Sequence, residues 1–131
     1  MWYILDENNN PVKVDGLTAG QWMDDSANRQ QRQVNFSTFN NVSLSTVFLS
    51  LDHNHYGYGE PILYESLWFG GPFDGHSSRY KTRDEALLGH QRMLEEYLNE
   101  LLSSRNPEDA LALAGPIDWE CPKIDENVTA L

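Results

Sequence analysis

One cysteine, Cys121, in 131 residues excludes any disulfide within the chain, so the fold has to be held by its core alone. No apolar run approaches the ~18 residues that a membrane-spanning helix needs. The opening residues 1–6 have neither the basic start nor the apolar length of a signal peptide. Basic residues are scarce as well: nine against twenty acidic ones leave a net charge of −11. A surface of that sign repels phosphate, so direct nucleic-acid binding is excluded from the expected functions. Chemical motifs are also missing. There is no Gly-x-Ser-x-Gly turn for a serine nucleophile, and no Lys-Ser/Thr follows the glycine-rich stretch to complete a P-loop. Cys121 stands in an acidic stretch that disfavours its thiolate. Together these absences predict a cytoplasmic protein that leans away from enzymatic chemistry and needs no cofactor.

What is present is a core. Apolar residues make up 40% of the chain, with four Trp, six Tyr and five Phe, which places it among folded globular proteins. Its length suits one domain. The pattern predicts an N-terminal hairpin from residues 1–5 and 12–14 around the turn formers at 6–11. A short helix capped by Thr18 is expected over about 19–29. Strands are expected at 32–38, with Val34 and Phe36 on one face, and at 42–51, 62–69 and 78–81. The run 42–51 is apolar on both faces. Thr82-Arg83-Asp84-Glu85 reads as a capping box, in which Glu85 would reach back to the amide of Thr82. Leu87, Leu94 and Leu101, with Tyr97 and Leu98, then trace the apolar stripe of a long helix. Asn106-Pro107 would start a second short helix ending at Gly115-Pro116. The expected fold is α+β: an antiparallel sheet of three to five strands packed against one long amphipathic C-terminal helix, plus a short N-terminal helix. The domain would span 1–115 and an irregular acidic tail 116–131.

Two polar, glycine-rich loops follow the best strands, and loops on a rigid sheet are where function usually sits. The first holds Asp52, His53 and His55, the only histidine pair at i, i+2 spacing. With His76 these are weak candidate metal ligands, since a metal site needs a third ligand and a supporting shell. The second, 70–75, reads most simply as a tight turn between antiparallel strands. Together the two loops would form one rim at the sheet edge. Tyr56, Tyr58, Trp68 and Phe73 are its candidate partner contacts, because aromatics bring area at low entropic cost. The acidity is uneven: residues 82–131 carry eleven acidic against four basic residues. Such a face is most simply a solvated one. It could also engage a basic surface through Glu95, Glu96, Glu100, Glu108 and Asp109.

Three segments bear a likeness to something known. Residues 42–53, reading VSLSTVFLSLDH, resemble the VSTVFLGLDH signature of a group of small bacteriophage and prophage proteins. Leu63 to Gly75 is similar to that group's LxFETMVFGGPLDG segment, and Arg79 to His90 to its RYxTxEEAxxGH helix start. The resemblance covers about residues 42–93. The chain departs from it by an inserted Ser and Leu near Leu44 and by its long tail after Arg105. The group has no assigned activity, so no catalytic residue carries over. The resemblance implies a phage origin and an accessory role in the infected cell.

The leading expectation is therefore a phage-encoded, non-enzymatic accessory protein that binds and inhibits a host protein. That partner would belong to the defence or nucleic-acid-processing machinery, and an acidic surface and aromatic loops would engage it. The alternative is a small-molecule, nucleotide or metal-binding protein, a sponge or a metal-dependent hydrolase, using the 52–55 and 70–76 loops. A homodimer formed through the apolar strand 42–51 is a third possibility.

Overall fold

The computed structural model describes residues 1–104. The helix expected after Pro107, the tail 116–131, Glu108, Asp109 and Cys121 lie outside the described residues. Within 1–104 the chain is α+β, with one two-stranded and one four-stranded antiparallel sheet. Strands β1 (Trp2–Leu5) and β2 (Pro11–Val14) form the hairpin. Its turn is shaped by the Asp6 carboxylate, which accepts from the amides of Asn8 and Asn10 at 2.9 Å each, while Asn9 takes φ 64°. Helix α1 (Gly16–Asp24), a 3-10 turn (Ser26–Asn28) and a four-residue helix α2 (Arg29–Arg32) lead into the main sheet. The cap of α1 is Asp15, not Thr18: its side chain accepts from the Thr18 amide at 2.7 Å, so the helix begins and ends earlier than the pattern predicts. That contact also holds the Asp15 carboxyl below its ordinary pKa.

Strands β3 (Gln33–Phe39), β4 (Val42–Phe48), β5 (Tyr64–Phe69) and β6 (Ser77–Tyr80) pair in sequence order, all antiparallel. Two details differ from simple alternation. A register shift between Gln33 and Asn35 makes Val34 a bulge. Val34 therefore enters the core, while Phe36, opposite Ser45, turns to the other face. Strand β4 stops at Phe48 because Ser50 adopts φ 69°. The segment beyond then crosses to β1: Ser50 accepts from the Tyr3 amide at 2.8 Å and its hydroxyl donates to the Tyr3 carbonyl at 2.6 Å. This seam ties the small sheet to the large one.

Helix α3 (Arg83–Ser104) lies across one face of the four-stranded sheet and contacts all four strands. Its capping box forms with one change. Thr82 Oγ1 accepts from the Glu85 amide at 3.1 Å, but Glu85 reaches one residue further back, to the amide of Lys81 at 3.2 Å. The expected stripe does point inward: Leu87, Leu94 and Tyr97 are buried, and Leu101 packs at the margin. Gly89 is dictated by Tyr80, whose ring occupies the space that any Cβ there would need.

The core divides into two clusters. One gathers Leu5, Val34, Phe48, Leu63, Tyr64, Ala86 and Leu87; the other gathers Phe39, Leu44, Trp68, Met93, Leu94 and Tyr97. Between them runs a polar seam centred on His90 of α3, which is fully buried. His90 Nε2 pairs with Ser37 Oγ of β3 at 2.9 Å, and Nδ1 with Thr46 Oγ1 of β4 at 2.7 Å. Thr46 in turn meets Ser66 Oγ of β5 at 2.5 Å. One imidazole thus fastens the helix to two strands directly and to a third through Thr46, and burial pushes its pKa down to about 4, so it is neutral at pH 7.

Candidate functional site

Consecutive antiparallel strands send successive loops to opposite ends of a sheet. The loop 49–63 joins β4 to β5 at one end, and the turn 70–76 joins β5 to β6 at the other. The six-residue strand β5 separates them by about 20 Å. The single rim expected from the sequence does not exist, and no one pocket can use both loops. The candidate metal ligands do not converge either. His76 stacks on Phe73 at the far end, with ring centroids 5.5 Å apart. Asp52, His53 and His55 stay together, but the two imidazole centroids are 6.3 Å apart and His53 Nδ1 is engaged by the Leu51 carbonyl at 2.7 Å. Among the described residues no group of three His, Cys, Asp or Glu side chains is arranged to hold a metal ion.

The polar residues of the first loop build its frame. One oxygen of Asp52 accepts from the Asn54 amide at 2.8 Å and from the Ile62 amide at 2.9 Å, clamping the loop at its neck. Desolvation works against the Asp52 carboxylate, yet these two amides, helped by the N-terminal amine and His53, hold its pKa below the ordinary carboxylate value. Asn54 fills the interior. Its side-chain NH₂ donates to the carbonyls of Tyr58 at 2.8 Å and Glu60 at 2.9 Å, and its Oδ1 accepts from the Tyr56 amide at 3.1 Å. Gly57 and Gly59, at φ 79° and 87°, supply the left-handed turns that bring those carbonyls inward. The frame spends its polar groups on itself and leaves the aromatics outside. Tyr56 and Tyr58 are 78% and 77% exposed, the most exposed large apolar side chains among the described residues, and their rings lie 6.2 Å apart. Two neighbouring tyrosines on a loop held by its own hydrogen bonds bring large contact area at low side-chain entropy cost.

The other end is built differently. Trp68 is only 3% exposed and packs on Phe39, Phe73 and Tyr97, so this expected contact residue belongs to the core. Phe73 is half-buried against the same cluster. Gly70 and Gly71 press on the β3–β4 turn: a Cβ on Gly70 would stand 2.5 Å from the Asn41 carbonyl oxygen, and one on Gly71 2.8 Å from Val42 Cγ2. Asp74 closes the turn by accepting from the Gly70 amide at 2.7 Å. The 70–76 stretch is the tight turn expected. Glu95, Glu96 and Glu100 are exposed on α3, about 18–26 Å along the helix from its start, which adjoins the tyrosine loop.

Two other arrangements have chemical character. A cleft of about 930 Å³ opens between the β1–β2 turn, Glu60-Pro61 and the start of α3. It mixes Glu7, Glu60 and Asp84 with Lys81 and Arg83, and Thr82 and Glu85 already cap the helix end, so it is not an anion cradle. The Ser37–His90–Thr46 seam, which sequence reasoning missed, has the group types of a nucleophile and its base. With Ser37 2% and His90 0% exposed, no substrate reaches them, and the seam is structural. Its signal in the sequence was the spacing 87, 90, 94, which sets His90 on the buried stripe of α3.

Compared with protein-family models, curated proteins and solved structures, the chain matches none. Among the described residues no helix is long and apolar enough to cross a membrane.

Proposed function

We propose that this chain is a phage-encoded, non-enzymatic accessory protein that binds and inhibits a host protein in the cytoplasm of the infected cell. The observation that carries the binding part is the Tyr56–Tyr58 pair, displayed on a loop whose own Asp52 and Asn54 fix its shape. Among the described residues these rings meet no aromatic ring except each other, and paired tyrosines on a fixed loop are characteristic of binding surfaces. The phage assignment draws on the resemblance of 42–93. The acidic face of Glu95, Glu96 and Glu100 supports a partner with a basic surface, such as a nucleic-acid-processing enzyme, with carboxylates standing in for phosphate. A partner that used both features would have to span most of the length of α3; the tyrosine loop is the anchor in this reading and the acids are its electrostatic guide.

The test is affinity capture from host lysate with the unaltered chain, with Tyr56→Ala/Tyr58→Ala, and with Glu95→Lys/Glu96→Lys/Glu100→Lys, at low and high salt. The expected result is one partner held by the unaltered chain, lost with the tyrosine pair and weakened by charge reversal or by salt, because exposed charge pairing is screened. A partner retained by the tyrosine variant removes the loop from the reading. A partner indifferent to both charge reversal and salt removes the acidic mechanism.

A further inference from the structure

The cleft between the β1–β2 turn, Glu60-Pro61 and the start of α3 holds about 930 Å³, at the upper end of small-ligand pockets. Its charges are sorted by wall. Glu7 of the turn and Glu60 of the tyrosine loop line two sides, and Lys81 and Arg83 line the α3 side. Among the described residues Glu7, Glu60 and Lys81 form no ion pair, so opposite charges border the cleft without neutralising each other across it. Asp84 shares the cationic wall, where the helix dipole accounts for an acid in the first turn. The floor adds a group that surface charge does not explain. Tyr64 lines the cleft although it is only 1% exposed, and its hydroxyl is not sealed from solvent. Arg83 and Asp84 act on that phenol through their charges, yet no hydrogen bond engages its hydroxyl among the described residues. A phenol so deeply placed is normally paired. Burial pushes its pKa up to about 12, so at neutral pH it has a proton to donate.

We propose that this cleft binds a short peptide with free ends, its carboxylate held by the Tyr64 hydroxyl and the cations of the α3 wall and its ammonium group by Glu7 and Glu60. Charge selects the class. A simple anion meets repulsion from Glu7 and Glu60, and a simple cation meets it from Lys81 and Arg83, whereas a ligand with both charges suits both walls. The buried hydroxyl gains a charged acceptor, the stronger kind of hydrogen bond. Separation selects the length. Walls that do not pair with each other call for two charges further apart than those of a single amino acid, and the volume admits such a ligand. This inference does not depend on the host-partner reading, since none of these six residues belongs to the proposed host contact.

The test is titration of the full ¹⁵N-labelled chain with tetraalanine, and with the same peptide acetylated at its N-terminus or amidated at its C-terminus. Amide shifts confined to residues 7–11, 60–64 and 81–84 are expected, saturating in the millimolar range. Either blocked end should weaken binding at least about tenfold, the worth of a hydrogen bond to a charged group. Tyr64→Phe keeps the ring in the core and removes only the hydroxyl. It should weaken the free peptide about tenfold and leave the urea midpoint unchanged or raised, because the unbound protein loses no hydrogen bond. Glu7→Gln/Glu60→Gln should weaken the free peptide by a similar factor and leave the acetylated one unaffected. No shift at the cleft overturns the inference, and so does equal binding of the blocked peptides. Undiminished binding by Tyr64→Phe overturns it as well, as does a lowered midpoint in that variant, which would assign the hydroxyl to the fold.

Discussion

The two ends of the four-stranded sheet are written with nearly the same letters and folded to opposite purposes. Residues 52–62 and 70–76 both contain an aspartate, glycines, histidine and aromatic side chains. At the second end Asp74 caps a tight turn, Gly70 and Gly71 press against the neighbouring hairpin, and Phe73 folds back on Trp68 and Tyr97. At the first end Asp52 and Asn54 absorb the backbone amides and carbonyls of a longer loop, so its tyrosines have no core to fold into. Composition does not decide which loop displays its aromatics; the decision lies in whether those side chains have a hydrophobic cluster within reach. Between the two ends stands His90, the polar fastening that separates the cluster beneath one loop from the cluster beneath the other.

The largest effect is expected at that fastening. The His90 pKa in the fold, about 4, lies below its ordinary 6.5. Between those values the unfolded chain binds a proton that the folded chain refuses, so this contribution to stability is complete above pH 6.5 and declines as pH falls towards 4. The loss is on the order of 3 kcal/mol. Urea unfolding at neutral and mildly acidic pH measures it, and His90→Gln should flatten that part of the slope. An unchanged slope would mean that His90 does not titrate as a buried neutral group.

Next comes the glycine turn. Gly70 has φ 80° and a carbonyl oxygen where a side chain would begin, so Gly70→Ala should cost about 2 kcal/mol or more, read as a lower urea midpoint. The smallest cost belongs to the tyrosine loop. Asn54→Ala removes three hydrogen bonds from an exposed loop and should lower stability by no more than about 1 kcal/mol, while disordering the segment that carries both tyrosines. Such a variant should lose partner capture by far more than its stability loss explains. If it keeps full capture, the loop does not need its frame.

The long helix and the strands were legible because their signals are local: a 3.6-residue stripe, a capping box, period-2 runs between turn formers. The bulge at Val34 was not, since one extra residue inverts the phase of a strand without altering its composition. The seam was hidden for a related reason. His90 finds Ser37 and Thr46 at 53 and 44 residues' separation, and nothing in a single sequence marks which hydroxyls a lone histidine will meet. The separation of the two loops was in principle readable, because successive antiparallel connections alternate ends. Their shared glycines and aromatics suggested one rim where connectivity places two. The burial of Trp68 follows from the strand pattern itself, as it shares a face with Tyr64 and Ser66.

The claim on which the account turns is that the 52–62 loop is ordered before anything binds it. Backbone ¹⁵N relaxation of the free protein tests this directly. Order parameters at Tyr56 and Tyr58 close to those of β4 and β5, about 0.8 or higher, are the predicted result. Values below about 0.6 at both tyrosines would contradict it, because the pair would then be displayed on a mobile segment and would have to be ordered by its partner.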